Sequence, residues 1–542
     1  MFTIRSHISS RRSGVLLPVF SLPSDYGTGC FSGEARNFIE FLHNTGQSFW
    51  QILPLGPVNE SRSPYQPLSS FAGNPAFIDP DELRRLGLIT ETELNEFRRP
   101  VSDCAVTGMY GNIQYSRVIP PRMKLLRTAY ERFAALPADS SYKAGYGSFV
   151  SENAWWLDDY TYFTVLSEKF GSTAWTKWPD EYKYRDTARL SRIDDEMPQE
   201  TGFVRFMQYE FFRELEELRS FAHSAGIKII GDLPFYTAAE SADCWSHPEI
   251  FVLGKNLEPE ALAGCPPDSF TPEGQLWNNP LYRWHDAPEK TSAWWAARLR
   301  HNLRMTDVLR LDHFRGFESY FSIPASDAKP ALGHWEPGPG AEFFRNLPAD
   351  AFPKGAIIAE DLGSLTTEVY DLRDGLGLPG MKVLQFAFDS GSSNPYLPGN
   401  FGPHSVVYTG THDNDTVRGW YESLSRRRKN KIRFYTGNYI RKHRRARFNR
   451  LIPAGVRSRW IRGQIQDGEI ADAMVLMAES SRASVCIIPF QDILGAGSSA
   501  RINTPGTAEG NWCFELGTGL RYSSYVEKFA RVTEACGRQR HD

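Results

Sequence analysis

DVLRLDHFRG, residues 307–316, is the stretch from which the fold can be read. Val308, Leu309 and Leu311 make a short apolar strand, and the strand ends in charge at Arg310, Asp312, His313 and Arg315. Side chains alternate along a strand, so Arg310 and Asp312 share one face while Leu309 and Leu311 share the other. If the polar face opens into a cleft, the guanidinium holds Asp312 ionised and fixes its direction by charge-assisted hydrogen bonding. That arrangement suits a nucleophilic carboxylate. An ordinary ion pair capping a strand fits these ten residues equally well, so the choice between the two passes to the rest of the chain.

Seven more apolar segments have the same form. They are residues 13–22 (SGVLLPVFSL), 47–55 (QSFWQILPL), 227–234 (IKIIGDLP), 356–363 (AIIAEDLG), 379–388 (PGMKVLQFAF), 405–416 (SVVYTGTHDNDT) and 483–495 (ASVCIIPFQDILG). Between the first two, residues 34–45 place Phe38, Phe41 and Leu42 on one helical face, and Gly46 follows as a stop. Strand, helix, strand at this spacing is a βαβ unit, the building block of parallel α/β folds. Eight such strands, most ending in acidic or polar residues, predict a (β/α)8 TIM barrel. In that architecture Asp232, Asp312, Glu360 and Asp413 converge on one mouth. One acidic site accounts for them better than four unrelated strand caps.

The remaining sequence reads as insertions in a single catalytic barrel spanning residues 1–542. Residues 80–222 are helical in pattern and rich in charge and aromatics, a mostly helical insertion between the second and third strands. The polar loop 56–75 (GPVNESRSPYQPLSSFAGNP) is long enough to suggest a functional role, with Tyr65 as a sugar-contacting aromatic or as a ring packed beneath its own loop. Residues 265–284 (CPPDSFTPEGQLWNNPLYRW) read as a substrate loop, with amides for hydroxyl groups and Trp277 for stacking. Residues 420–455 form a basic helical insertion, in which 426–450 carry a dozen Lys and Arg and no acid. That run is either a solvated helical pair or a contact for an anionic partner such as phosphorylated glucan.

Composition narrows the function. The 61 Lys and Arg nearly balance the 64 Asp and Glu, so no global field recruits nucleic acid or anionic membrane. Aromatics make up 13%, with 14 Trp and 23 Tyr, which suits sugar binding and ordinary cores alike. Seven scattered cysteines, never in CxxC spacing, argue against disulfides and zinc and for a reducing, cytoplasmic location. The N-terminal stretch reads as the approach to the first strand and not as a signal peptide, and no window is apolar enough for a membrane span. Metal, dinucleotide, P-loop and GxSxG motifs are all missing. A cofactor-free carboxylate site in an aromatic-lined barrel mouth fits glycosyl transfer. A retaining mechanism needs an ionised carboxylate and a protonated one about 5 to 5.5 Å apart.

At this point the sequence resembles the 4-α-glucanotransferases (amylomaltases, or disproportionating enzymes) of glycoside hydrolase family 77. The stretches that carry the resemblance are SPYQPLSSFAGNP, GDLPFYTAAESADCW, PPDSFTPEGQLWNNPLYRW, RLDHFRGF, IIAEDLG, GMKVLQFAF, TGTHDNDT and QDILGAGSSARINTPGTAEGNW. They occur in the family's order across most of the chain. RLDHFRGF and THDND alone would indicate only the α-amylase superfamily. The resemblance implies Asp312 as nucleophile, Glu360 as general acid/base and Asp413 as transition-state stabiliser. It implies that Arg310 orients Asp312 and that His313 and His412 bond sugar hydroxyls. Tyr65, Asp232, Gln275, Trp277 and Asn279 match substrate-contacting positions, and Phe386 matches an aromatic near the acceptor side. The expected partners are α-1,4-glucans and maltooligosaccharides, with glucose as an acceptor, and no cofactor, metal, nucleic acid, membrane or obligate protein partner. An α-1,4-glucan hydrolase using the same residues is the alternative. The basic run 426–450 and the tail beyond residue 516 match nothing in the family pattern.

Overall fold

The computed structural model describes residues 11–267, 272–363, 365–442 and 454–540. Eight parallel strands close into a barrel: β1 (Arg12–Leu16), β2 (Phe49–Gln51), β3 (Lys228–Leu233), β4 (Val308–Leu311), β5 (Ile357–Ala359), β6 (Gly380–Val383), β7 (Ser405–Tyr408) and β8 (Val485–Pro489). Each pairs with its neighbours in sequence order, and β8 pairs with β1 to close the ring. The strands are apolar because both of their faces are covered, the outer one by helices and the inner one by packed side chains. In β8 every one of the five residues, VCIIP, is buried. Helices Gly33–Asn44, Pro198–Ser224, Pro288–Met305, Ile470–Ser480 and Ser523–Ala535 are among those that supply the outer cover.

Every expected strand is present but shorter than its apolar run. The strands stop short of Asp312, Glu360 and Asp413, whereas Asp232 and Arg310 lie within β3 and β4. After β6, residues Leu384–Phe388 turn into a 3₁₀ helix, and after β8, Phe490–Leu494 form a short α-helix. Apolar character continues past the strand because these turns also pack on the core, and an apolar run alone does not distinguish strand from short helix.

Between β2 and β3 the chain forms helices that include Glu91–Ser102, Tyr115–Ala134 and Ser141–Phe170 before Pro198–Ser224 returns to the barrel. The expected substrate loop at 265–284 needs a correction. Gln275–Pro280 is a strand, and with Ala261–Cys265, Ser319–Pro324 and His334–Pro337 it makes a four-stranded antiparallel sheet. Asn and Pro disguise it, since both are depleted in strands, but a short sheet outside the barrel tolerates them. Residues 268–271 of that stretch, and 443–453 of the basic one, lie outside the described residues. No helix among the described residues is long and apolar enough to cross a membrane.

Candidate active site

Register decides what meets at the mouth of the barrel. In the parallel ladders Arg310 lies opposite Asp232 on β3 and opposite Ile358 on β5. The Asp312 amide donates to the Leu233 carbonyl (3.0 Å), and the Glu360 amide donates to the Leu311 carbonyl (3.0 Å). Continuing the β4–β5 register by one residue sets Glu360 beside Asp312, at a strand spacing of about 4.8 Å. His313 then adopts a left-handed conformation (φ 46°), uncommon for a residue with a Cβ, and ends the strand. The turn is strapped to Glu360: the His313 amide donates to Oε2 (2.8 Å) and the Phe314 amide to the Glu360 carbonyl (3.2 Å).

Arg310 is the hub. Its side chain is buried, and Nη1 reaches both Asp232 oxygens (2.7 and 2.8 Å) and Asp312 Oδ1 (2.9 Å). Also buried within the barrel, the Tyr408 hydroxyl donates to Gln51 Oε1 (2.9 Å). The Tyr65 hydroxyl donates to Asp232 Oδ2 (2.8 Å). Burial raises the Asp232 carboxyl above its usual range despite Arg310. The Asp312 side chain remains 27% exposed, open to the cleft.

Glu360 differs from its neighbour. Burial, and then the charge of Asp312, push its carboxyl up to about 8 against the pull of Arg310. Its second oxygen accepts from the Leu362 amide (3.0 Å), which fixes the side chain's direction. Two adjacent carboxyls, one braced by a guanidinium and the other inclined to keep its proton, are the pair that glycosyl transfer requires.

On the β7 side the Tyr65 ring stacks on His412 (centroids 5.0 Å apart, 17° between planes), and Trp512 packs against both at 5.6 and 5.9 Å. His412 Nε2 is 3.4 Å from Asp413 Oδ2. Asp413 is also held from behind. Asn503 Nδ2 donates to its Oδ1 (2.6 Å), Arg501 Nη2 donates to its carbonyl (2.7 Å), and the Asn503 amide donates to the His412 carbonyl (3.1 Å). On the opposite side Trp277 meets His313 edge-on (5.0 Å, 86°), and its Nε1 donates to Gln275 Oε1 (3.0 Å). His313 Nε2 is buried with no hydrogen-bond partner. Burial lowers this imidazole to about 4, which keeps it neutral at ordinary pH.

The fold therefore brings Tyr65, Asp232, Arg310, Asp312, Glu360, His412 and Asp413 into one connected network, with Gln275, Trp277 and His313 along one wall. Asn279 has a different environment. It is 3% exposed, its Oδ1 accepts from Gln66 Nε2 (2.8 Å) and its Nδ2 donates to the Thr237 carbonyl (2.6 Å), so it ties two mouth loops together. Phe386 stands on the β6 side with its ring against Tyr396 (5.5 Å). Asn503, Arg501 and Trp512 received no role in the sequence reading. All three come from residues 491–512; Arg501 and Asn503 lie about 90 positions beyond Asp413, which they brace, and no local spacing links them to it.

Known proteins share both sequence and fold. The family model described as 4-alpha-glucanotransferase, glycoside hydrolase family 77, matches residues 17–519. The 4-alpha-glucanotransferase of Clostridium butyricum is 38% identical over 526 residues, covering 96% of this chain and 99% of that protein. The Thermus thermophilus 4-alpha-glucanotransferase is 37% identical over 530 residues, covering 97% and 99%. Among solved structures, the amylomaltase from Streptococcus agalactiae in complex with acarbose superposes with a TM-score of 0.87 at 31% identity, covering 98% of this chain and all of that one. With its closed barrel, its paired carboxylates and near full-length similarity, the chain belongs to the 4-α-glucanotransferase family, glycoside hydrolase family 77.

Proposed function

We propose that the chain moves segments of α-1,4-glucan from a maltooligosaccharide donor to the 4-hydroxyl of an acceptor glucan or glucose by a retaining double displacement. The observation that carries this reading is the pairing of Asp312, braced by Arg310 at 2.9 Å, with a Glu360 whose carboxyl is pushed up to about 8. The first is aimed and braced for attack, and the second holds a proton at neutral pH for the leaving oxygen.

In the first step an Asp312 oxygen attacks the anomeric carbon. The glycosidic bond breaks, and its leaving oxygen takes the Glu360 proton. Asp312 is now an ester, so the negative charge that helped raise Glu360 is gone and its proton affinity falls. In the second step the ionised Glu360 removes a proton from the acceptor 4-hydroxyl, whose oxygen displaces Asp312. The carboxylate and the protonated acid are restored. Arg310, anchored by Asp232, keeps Asp312 aimed throughout. Asp413 grips hydroxyls of the distorted sugar, and its interaction strengthens as charge develops on the ring. The unpartnered Nε2 of His313, together with His412, offers hydrogen bonds to sugar hydroxyls. Trp277 and Tyr65 offer apolar faces, Gln275 offers an amide, and Phe386 borders the acceptor side. Asn279, bonded to Gln66 and Thr237, acts by holding the loops that carry these groups. The two steps balance in protons and charge using side chains alone, and the scheme includes no metal or cofactor. Cys30, Cys104, Cys244, Cys486 and Cys513 are free thiols, in keeping with a reducing cytoplasm.

The hydrolase reading uses the same residues with water as acceptor, and family membership does not favour it. Incubation with maltotriose separates the two. A ladder of longer maltooligosaccharides with free glucose, and a constant number of glycosidic bonds, is expected. Maltose and glucose alone, with steadily rising reducing ends, would overturn the transfer reading.

A further inference from the structure

The helix Arg426–Lys442 carries eight Lys and Arg and no Asp or Glu, in a chain whose formal net charge is only −3. Five of the eight fall in its first six residues, where they also work against the positive end of the helix dipole. Fold stability does not call for that arrangement. Some of this charge is matched: Arg428 lies 3.9 Å from Asp389, and Arg433 pairs with Asp467. Arg426 and Arg427 are exposed and have no acidic partner among the described residues. Phe434 follows Arg427 by two helical turns, which puts it on the same face, and it is 68% exposed. An aromatic left in solvent on a cationic face has no role in the core.

Placement connects this face to the active site. Lys431 Nζ donates to the Phe388 and Ser390 carbonyls (3.0 and 2.8 Å), and the Tyr435 ring packs on Phe388 (5.7 Å). These contacts fasten the helix to Leu384–Phe388, the segment that carries Phe386 at the end of β6. The helix therefore stands beside the β6 side of the mouth, where a glucan strand leaving on that side would meet it. From this we infer that the Arg426/Arg427/Phe434 face binds α-glucan chains that carry phosphate monoesters, the arginines taking the phosphate and the ring packing on a glucose face. The inference rests on the glucan-transfer reading for its direction, since only a glucan threads from this mouth. Bidentate guanidinium–phosphate contacts and sugar–aromatic packing are both well suited to these residue types.

The test compares a maltodextrin fraction bearing 6-phosphate monoesters with the same fraction after phosphatase treatment, by retardation in an affinity gel and by KM. The phosphorylated form should bind about tenfold more tightly at low salt, an advantage that fades as salt screens it. The double variant Arg426→Ser/Arg427→Ser, and separately Phe434→Ala, should lose the advantage while turning over the dephosphorylated fraction at the normal rate. Equal binding of the two fractions, or an advantage that survives both variants, overturns the proposal. Tighter retention by phosphatidylserine vesicles or single-stranded DNA at the same salt also overturns it and gives the face to another class of polyanion. Failure to disproportionate the dephosphorylated fraction would count against the transfer reading, whereas the gel comparison decides this proposal without turnover.

Discussion

At the residue scale, the division of labour proposed for Asp312 and Glu360 rests on a few contacts. Replacing Asp312 by Asn should abolish glycosyl-enzyme formation, trapped with a glycosyl fluoride and read by mass. The melting temperature should not fall, because the side chain is 27% exposed and only a charge is removed. Substantial residual turnover would displace Asp312 as nucleophile. As the proposed acid, Glu360 should set the alkaline limb. Its raised proton affinity means that the acid form persists up to about 8, so kcat/KM on glucans should fall as pH rises through that value. With Glu360→Gln that limb should vanish and the rate should drop, least for fluoride donors, whose leaving group needs no proton. An equal loss on every donor would contradict the acid role. Asn503 makes a further case: Asn503→Ala frees one oxygen of Asp413 from a 2.6 Å bond, and, with Asp413 in its proposed role on the substrate, misplacing it should cost roughly 10- to 100-fold in kcat. A variant with unchanged kcat would show that Asp413 needs no such brace.

At the element scale, the mouth is built from loops that the barrel rim positions and that bonds between loops then fix. Gln66 and Asn279 join the 56–75 loop to the Gln275–Pro280 strand, and the Ser70 amide donates to the buried Asp243 (2.7 Å) after β3. Asn279→Ala removes both amide bonds and leaves the Thr237 carbonyl without its donor. The expected destabilisation is about 1 to 3 kcal/mol, a buried polar group left unpaired, together with faster amide exchange across residues 63–72 and a raised KM for maltotriose. Unchanged exchange would mean that the loop holds itself. The sequence located all eight barrel strands because buried parallel strands are continuous apolar runs, but it overstated their length. The segments Leu384–Phe388 and Phe490–Leu494 stay apolar while they turn, and hydrophobicity does not register the turn. The Gln275–Pro280 strand was read as loop for the converse reason, its polar and proline content.

At the scale of the whole molecule, the two ends of the barrel have separate tasks. The mouth holds the proposed chemistry, and the C-terminal segment is fastened at the opposite end. There the buried Arg538 donates to the carbonyls of Glu479 (2.6 Å), Arg12 (2.9 Å) and Ala483 (2.8 Å), tying the tail to β1 and to the approach to β8. Arg538→Met removes these bonds and the cation that the tail sets beside the buried Glu479. It should cost about 3 to 5 kcal/mol, read as an earlier urea midpoint, while the folded fraction keeps its kcat. A selective loss of kcat at normal stability would instead tie this end to the site.

The amino-acid sequence determined the barrel, the strand order and the identity of the acidic residues, since these follow from apolar periodicity and from which residue types end each run. It also held the family resemblance through which His313, His412 and Phe386 acquired expected roles. Tertiary structure alone decided that Arg310 bridges Asp232 and Asp312, that Glu360 sits where burial and a neighbouring charge keep it protonated, and that Asn503 braces Asp413. Proton affinity and side-chain aim depend on burial and on partners that are distant in the chain, and a linear pattern records neither.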